Sequence, residues 1–129
     1  MKRPMRATIG ISRAAATLLA LTAAVRPSVF TQTSGGLWEI SRSDGGRRNL
    51  CVADPAVLAQ YEHLKGRCSR EVVRDRQRIA EINYSCSGGG FGQSRVEQIT
   101  PRSLRIETQG ISGNAPFHYV LQARRIGDC

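Results

Sequence analysis

The sequence predicts an α+β fold in which β-structure dominates: an antiparallel meander of about six strands with one helix packed on a face, tied by disulfides. Three observations lead to this class. Short segments that alternate apolar and polar residues follow one another closely, as in antiparallel strands. One segment, after Asp54, has the cap and spacing of a helix. Four cysteines follow an export signal, which favours disulfides.

The N-terminal segment has the layout of a signal peptide. Basic residues precede an apolar run from Ala14 to Val25, which contains the small residues Thr22-Ala23-Ala24 near its end. The run is shorter than the roughly 20 apolar residues that span a bilayer, so we predict cleavage after Ala24 and no stable membrane insertion afterwards. Residues 1–24 are therefore the predicted signal peptide, and residues 25–129 a single β-rich domain that is periplasmic or secreted.

Cleavage would leave 105 residues, enough for one small domain with a modest core. The net charge would fall from +9 to +5, because the signal segment carries four basic side chains and no acidic one. Lys65 is the only lysine that remains, so the positive charge is almost entirely arginine. Genome composition and function both explain that bias, and the sequence leaves both open. We interpret residues 26–34 as a loose leader.

The first hairpin is predicted over residues 36–52. Trp38 and Ile40 lie on one face of a strand over residues 36–42, and we expect Trp38 to pack in the core beneath the helix. The segment Ser43-Asp44-Gly45-Gly46 is a turn signal, and the chain returns through residues 47–52.

Asp54-Pro55 predicts the start of a helix, because Asp caps the first turn and proline fits the first helical position. The helix is predicted from Pro55 to about Lys65, with Gly66 as its C-terminal cap. Its apolar stripe consists of Val57, Leu58, Tyr61 and Leu64.

A second hairpin is predicted over residues 68–86, with its turn centred on Gln77. That register places three pairs on one side of the sheet: Val72 opposite Ile82, Arg70 opposite Tyr84, and Cys68 opposite Cys86. A disulfide between Cys68 and Cys86 then closes the open end, and by exclusion Cys51 bonds Cys129. A zinc site is disfavoured, since the nearest cysteines are 17 residues apart.

Three more strands complete the predicted sheet, over residues 93–99, 103–108 and 117–125. With a turn at Pro101, the pairs are Arg95 with Glu107, Glu97 with Arg105 and Val96 with Ile106, so that one face is wet and charge-compensated. Residues 110–116 are predicted to form a loop. In the last strand Phe117, Tyr119, Leu121 and Ala123 face inward, and His118, Gln122 and Arg124 face outward.

The order of several short motifs resembles a known family. Gly36-Leu37-Trp38-Glu39 follows the signal peptide, Leu50-Cys51 precedes the helix, and Cys68 begins a hairpin that ends in Cys86. This pattern is similar to a family of small exported proteobacterial proteins classed as a domain of unknown function. The segment between Trp38 and Cys51 is short for that family, and Cys129 is an addition to its three cysteines. The resemblance implies compartment and fold and no activity.

Catalytic chemistry has few candidates in this sequence. His63 on the helix and His118 on the last strand are the only histidines, and neither has a carboxylate or thiolate at a telling spacing. Known catalytic, zinc and phosphate-loop motifs do not occur in the sequence. We therefore predict no cofactor, no metal and no enzymatic activity, and keep an enzyme using His118 or His63 as an alternative.

Two further segments are candidate binding elements. Residues 88–92, a glycine run with Phe91, form either a flexible or bulged connection, which we favour, or a nest of backbone amides for an anion. Arg74, Arg76 and Arg78 cluster at the tip of the second hairpin, where acidic neighbours dilute them.

The prediction is thus a non-catalytic exported binding or structural module with an unknown envelope protein as partner. The alternative partner is an envelope polyanion held by the three tip arginines. Nucleic acid is disfavoured, because few aromatic residues accompany the arginines and the compartment is wrong.

Overall fold

The computed structural model describes Pro4 and residues 26–129. The predicted signal peptide, residues 1–24, lies outside the described residues apart from Pro4. Within the described part of the chain, none of the helices has the length and apolar character needed to cross a membrane.

Seven strands form one antiparallel sheet. They are β1 (Gly36–Arg42), β2 (Arg47–Val52), β3 (Cys68–Arg76), β4 (Ile79–Cys86), β5 (Phe91–Thr100), β6 (Ser103–Ser112) and β7 (Ala115–Gly127). The order across the sheet is β2-β1-β7-β6-β5-β4-β3. The prediction of a β-dominant antiparallel fold is confirmed, whereas the described residues contain seven strands and not about six.

The strand order departs from a simple meander. Strands β3 to β7 are consecutive neighbours, but β1 pairs with β7. In that pairing Ile40 lies opposite Ala123. A 3₁₀ helix (Pro55–His63) joins β2 at one edge to β3 at the other and packs on β4, β5 and β6 on the way. The crossing carries the chain to the far edge, so the later strands fill the sheet back towards β1.

The second hairpin has the predicted register at its open end, with Cys68 opposite Cys86 and Val72 opposite Ile82. The predicted centre of its turn is wrong. The register shifts after Val72, where Val73 is the extra residue of a bulge, so the turn consists of residues 77–78 between Arg76 and Ile79.

The predicted pairs between β5 and β6 are confirmed, including Val96 with Ile106. The predicted loop over residues 110–116 is wrong, because β6 runs on to Ser112 and β7 begins at Ala115. A two-residue turn joins them. Gly113 (φ 56°) and Asn114 (φ 63°) both have the positive φ that tight hairpin turns require, and glycine and asparagine tolerate it best.

The predicted helix is present as a 3₁₀ helix that ends at His63 instead of an α-helix that reaches Lys65. Its cap is as predicted: the Asp54 side chain accepts a hydrogen bond of 3.0 Å from the Ala56 backbone amide. A kink at Gln60 (φ −114°, ψ 37°) interrupts the helical geometry.

The interpretation of residues 26–34 as a loose leader is wrong. Residues Ser28–Thr31 form a short helix, α1, whose Val29 and Phe30 are fully buried in the core. Arg26 forms an ion pair of 2.9 Å with Asp54. The Ser28 amide donates to Asp75 at 3.1 Å. The segment is therefore a structural part of the domain.

One face of the sheet, the inner face, packs against α1 and the 3₁₀ helix and holds the core. Trp38 is fully buried there, as predicted. Other buried side chains of the inner face are Ile40, Ala80, Ile82, Val96, Leu104, Ile106, Tyr119, Leu121 and Ala123. We call the opposite face the outer face, and no other element of the described chain packs on it.

The four cysteines form two disulfides, and they are the pairs that the sequence predicts. Cys68–Cys86 closes the second hairpin, with 3.9 Å between the Cα atoms. Cys51–Cys129 ties the C-terminus to β2, with 5.7 Å between the Cα atoms.

Candidate functional site

The outer face carries an open groove of about 1080 Å³ that crosses β3 to β7. Two rows of side chains line this outer groove, and each row contains one residue from each of the five strands. The backbone of the residues between the rows, such as Gly92 and Gly110, forms the floor. The side chains meet because the strands are in register, although they are distant in sequence.

The first row, the apolar row, lies at one end of these strands. Its members, in spatial order, are Ser69, Ser85, Phe91, Ile111 and Pro116. Phe91 is 51% exposed, which is unusual for so large an apolar side chain and gives the groove a bare aromatic ring. The two serine hydroxyls contact each other at 3.3 Å. The row therefore combines one aromatic and two smaller apolar groups with hydroxyls.

The second row, the amide row, runs parallel to the first. It consists of Glu71, Asn83, Gln93, Gln109 and His118. The side-chain hydrogen bonds in this area join Ser69 with Ser85 and His118 with Glu107, and within the described part of the chain none involves the three amides. Each amide group both donates and accepts, so three neighbouring strands present unused donors and acceptors to the groove.

Charged side chains on the outer face lie beyond the amide row, where they pair with one another. Arg95 lies 3.8 Å from Glu97, and Arg105 lies 3.8 Å from Glu107. These pairs are exposed and contribute little to stability. They confirm the predicted charge-compensated, solvated face, and they leave the groove itself almost uncharged.

We compared the chain with protein-family models, with curated proteins and with solved structures. None of these matched.

On the inner face, below the floor of the outer groove, lies an aromatic cluster around His63. The His63 ring meets Tyr84 and Phe117 edge-on, at centroid distances of 5.5 and 6.0 Å, and His63 Nδ1 is 3.0 Å from the Tyr84 hydroxyl. Glycines make room for these rings. A Cβ at Gly90 would collide with His63 Nε2, and one at Gly92 would lie 2.7 Å from the Tyr84 ring. The glycine run thus serves packing at these positions.

Burial raises the pKa of Tyr84 to about 12, with a smaller contribution from the charge of Glu62. Burial also raises the pKa of Tyr119, whose hydroxyl donates to Glu62 at 2.7 Å. In the unfolded chain both phenols titrate near the usual value of about 10.

We therefore expect the phenolate absorbance of Tyr84 to appear only near pH 12 in the folded protein. Because the pKa of Tyr84 is higher in the folded than in the unfolded protein, its contribution to the free energy of unfolding is complete below about pH 10. That contribution is lost as the pH rises through about 12. A spectrophotometric titration of the protein and of its Tyr84→Phe variant assigns the signal. Titration of Tyr84 at its unfolded value would contradict the burial.

The two histidines lie in different settings. His63 is packed between aromatic rings and the Gly90 backbone. His118 Nε2 lies 3.2 Å from Glu107 Oε1, but both side chains are exposed. Among the described residues there is no free cysteine and no group of three or more metal-ligating side chains. His63 contacts the Tyr84 hydroxyl on the inner face and His118 contacts Glu107 on the outer face, so the two histidines do not belong to one site.

The three arginines at the tip of the second hairpin differ in their acidic partners. Arg74 lies 3.7 Å from Glu81, and Asp75 between the arginines is bonded to Ser28. In the described part of the chain, Arg76 and Arg78 have no carboxylate within 4 Å. The predicted anion site thus has two unpaired arginines and one that is paired.

Sequence reasoning missed the outer groove, although its signals are present. Phe91 is a large apolar residue at a position that alternates outward, and Gln93, Gln109 and Asn83 are outward amides on three strands. Alternation alone assigns these residues to the solvent face. Only the long-range register shows that they are adjacent.

Proposed function

We propose that this chain is a non-catalytic exported binding module that holds its ligand in the outer groove. The observation that carries the proposal is the composition of the two rows, which place exposed Phe91 beside three amides with free donors and acceptors. An aromatic surface with a few polar groups that fix orientation is the usual chemistry of a ligand site.

The environment of the histidines supports a role without catalysis. General acid–base catalysis requires a base within reach of a reacting group and shielded from bulk water. His118 and Glu107 lie on an open face, and His63 is engaged with Tyr84. These two pairs therefore give the enzyme alternative less support than the groove gives the binding proposal.

The export part of the proposal rests on the two disulfides and on the sequence of residues 1–24. Disulfides persist in the periplasm and outside the cell, where thiols are not kept reduced. The resemblance to a family of small exported proteobacterial proteins agrees with this compartment, and membership in it remains part of the proposal.

A polyanion held by the second hairpin is the second candidate, because Arg76 and Arg78 are exposed and have no acidic partner in the described chain. Attraction between exposed charges is screened over about 10 Å at 0.1 M salt. Salt dependence therefore separates the two candidates.

The test is retention of the purified protein on washed cell-envelope fragments. We expect the double variant Phe91→Ala/Gln93→Ala to lose about 30-fold in affinity, since both side chains lie on β5, the middle strand of the groove. Moderate salt should leave the wild-type affinity nearly unchanged. The matched control is Ile99→Ala/Gln122→Ala, which removes an exposed apolar group and an exposed amide of the same sheet outside the groove.

A second arm uses the triple variant Arg74→Gln/Arg76→Gln/Arg78→Gln. If this variant loses retention and the wild type is released by moderate salt, the polyanion candidate is correct and the groove proposal is wrong. Unchanged retention of the Phe91→Ala/Gln93→Ala variant would also show that the groove proposal is wrong. Folding of every variant is checked by its thermal unfolding transition.

A further inference from the structure

We infer that the ligand of the outer groove is an uncharged, extended oligosaccharide that lies across the strands. This inference rests on the proposed function and names the class of ligand. It follows from four properties of the groove: its charge, its hydrogen-bonding groups, its aromatic surface and its direction relative to the strands.

The groove is nearly neutral in an arginine-rich protein. Among the ten side chains of the two rows, Glu71 is the single carboxylate, and none is arginine or lysine. Arg70 lines the floor, but its guanidinium donates to Gln60 Oε1 at 2.9 Å on the inner face. A polyanion would find no arginine or lysine in the two rows, and a polycation would find one carboxylate. The chemistry therefore fits an uncharged ligand.

The polar groups of the groove match hydroxyl groups. A sugar hydroxyl donates one hydrogen bond and accepts others, so it is bound best by groups that also donate and accept hydrogen bonds. Asn83, Gln93 and Gln109 supply such groups on three adjacent strands, and Ser69 and Ser85 add hydroxyls. Repeated amides at the spacing of the strands suit a ligand that repeats hydroxyl groups along its length.

The aromatic surface fits the other side of a sugar ring. Phe91 lies next to Ile111 in the apolar row, Ile111 lies next to Pro116, and about half of the surface of Phe91 is accessible. The C–H groups on one face of a pyranose ring are apolar, and they pack on an aromatic ring with the favourable contacts that C–H groups make there. One edge of the groove thus binds ring faces and the other binds hydroxyls.

The direction of the groove argues against a peptide that adds to the sheet as an extra strand. Such a peptide is held by backbone hydrogen bonds to an open sheet edge. The groove crosses the sheet, and the backbones of β4, β5, β6 and β7 are paired on both sides. Recognition must therefore come from side chains. Five strands about 4.8 Å apart span about 19 Å, a length that an extended tetrasaccharide covers.

The same side chains predict binding without cleavage. Glycoside hydrolysis generally uses two carboxyl groups on opposite sides of the scissile bond. The two rows contain one carboxylate, Glu71 at the edge strand. The oligosaccharide should be recovered intact after prolonged incubation with the protein.

The experiment is an NMR titration of the ¹⁵N-labelled protein with two probes, linear β-1,4-linked tetrasaccharides of glucose and of N-acetylglucosamine. We expect at least one probe to shift the side-chain amide resonances of Asn83, Gln93 and Gln109, while Gln122 stays unchanged. Phe91→Ala should weaken that binding about tenfold. Ile99→Ala, an equally exposed apolar site on the same strand, should not.

The outcomes separate this inference from the proposed function. If neither tetrasaccharide shifts the three amides up to millimolar concentration while Phe91→Ala/Gln93→Ala still abolishes envelope retention, the oligosaccharide is wrong and the binding groove stands. If retention is also unaffected, both are wrong. Loss of envelope retention after protease treatment of the fragments, and not after glycan digestion, would identify a protein ligand and overturn the inference.

Discussion

Replacing Phe30 with Ala is expected to lower the free energy of unfolding by about 3–5 kcal/mol, the usual loss for a large aromatic side chain removed from a core. Phe30 lies on α1, and 1% of its surface is exposed. Its ring fills space above the inner face that no other part of the described chain occupies, so the substitution leaves a cavity. The loss would be a large share of the stability of a small domain, about 5–15 kcal/mol.

The matched control for this prediction is Phe91→Ala, which removes the same side chain from the exposed apolar row. Urea denaturation of both variants measures the difference in unfolding free energy. Phe91→Ala should cost far less, since half of the ring is already in water. If the two losses were equal, α1 would not belong to the cooperative core.

Removing the Cys51–Cys129 disulfide is expected to cost up to about 4.5 kcal/mol, more than the roughly 3 kcal/mol expected for Cys68–Cys86. The reason is the length of chain that each bond closes, 78 residues against 18. A disulfide that closes a longer loop removes more conformational entropy from the unfolded chain. Removing that disulfide therefore stabilises the unfolded state more. The double variants Cys51→Ser/Cys129→Ser and Cys68→Ser/Cys86→Ser provide the comparison.

Urea denaturation under non-reducing conditions gives both values, and each double variant serves as the control for the other. Cys129 is the last residue, and β7 just before it already pairs with β1. A smaller loss for Cys51–Cys129 than for Cys68–Cys86 would therefore contradict the entropic account and show that strand pairing alone fixes the C-terminal segment.

Local pairing was predictable because its determinants are close in sequence. Cys68 and Cys86 are joined by a hairpin, and the alternation of apolar residues sets which face each side chain takes. The same reasoning correctly placed Trp38 in the core and Arg95 opposite Glu107. The bulge at Val73 was not predictable, because residues 74–78 after it are all polar and cannot show the shift in alternation.

Burial of the segment before β1 was not predictable for a different reason. Residues 26–34 have no periodicity to signal a partner, and α1 has only four residues. Val29 and Phe30 are buried because α1 packs on β3, β4 and β5. A segment this short takes its structure from the surface that receives it.

The sequence by itself determined the β-dominant class, the pairing of β5 with β6 and of the open end of the second hairpin, the helix cap at Asp54 and which face of the strands holds the core. These features depend on interactions between neighbours in the chain or across a short turn. The tertiary structure decided that β1 lies beside β7 and that residues from five strands meet in the outer groove. Those placements depend on the packing of the whole sheet under the crossing 3₁₀ helix. The sequence around Phe91 and His118 does not show which strands lie beside them.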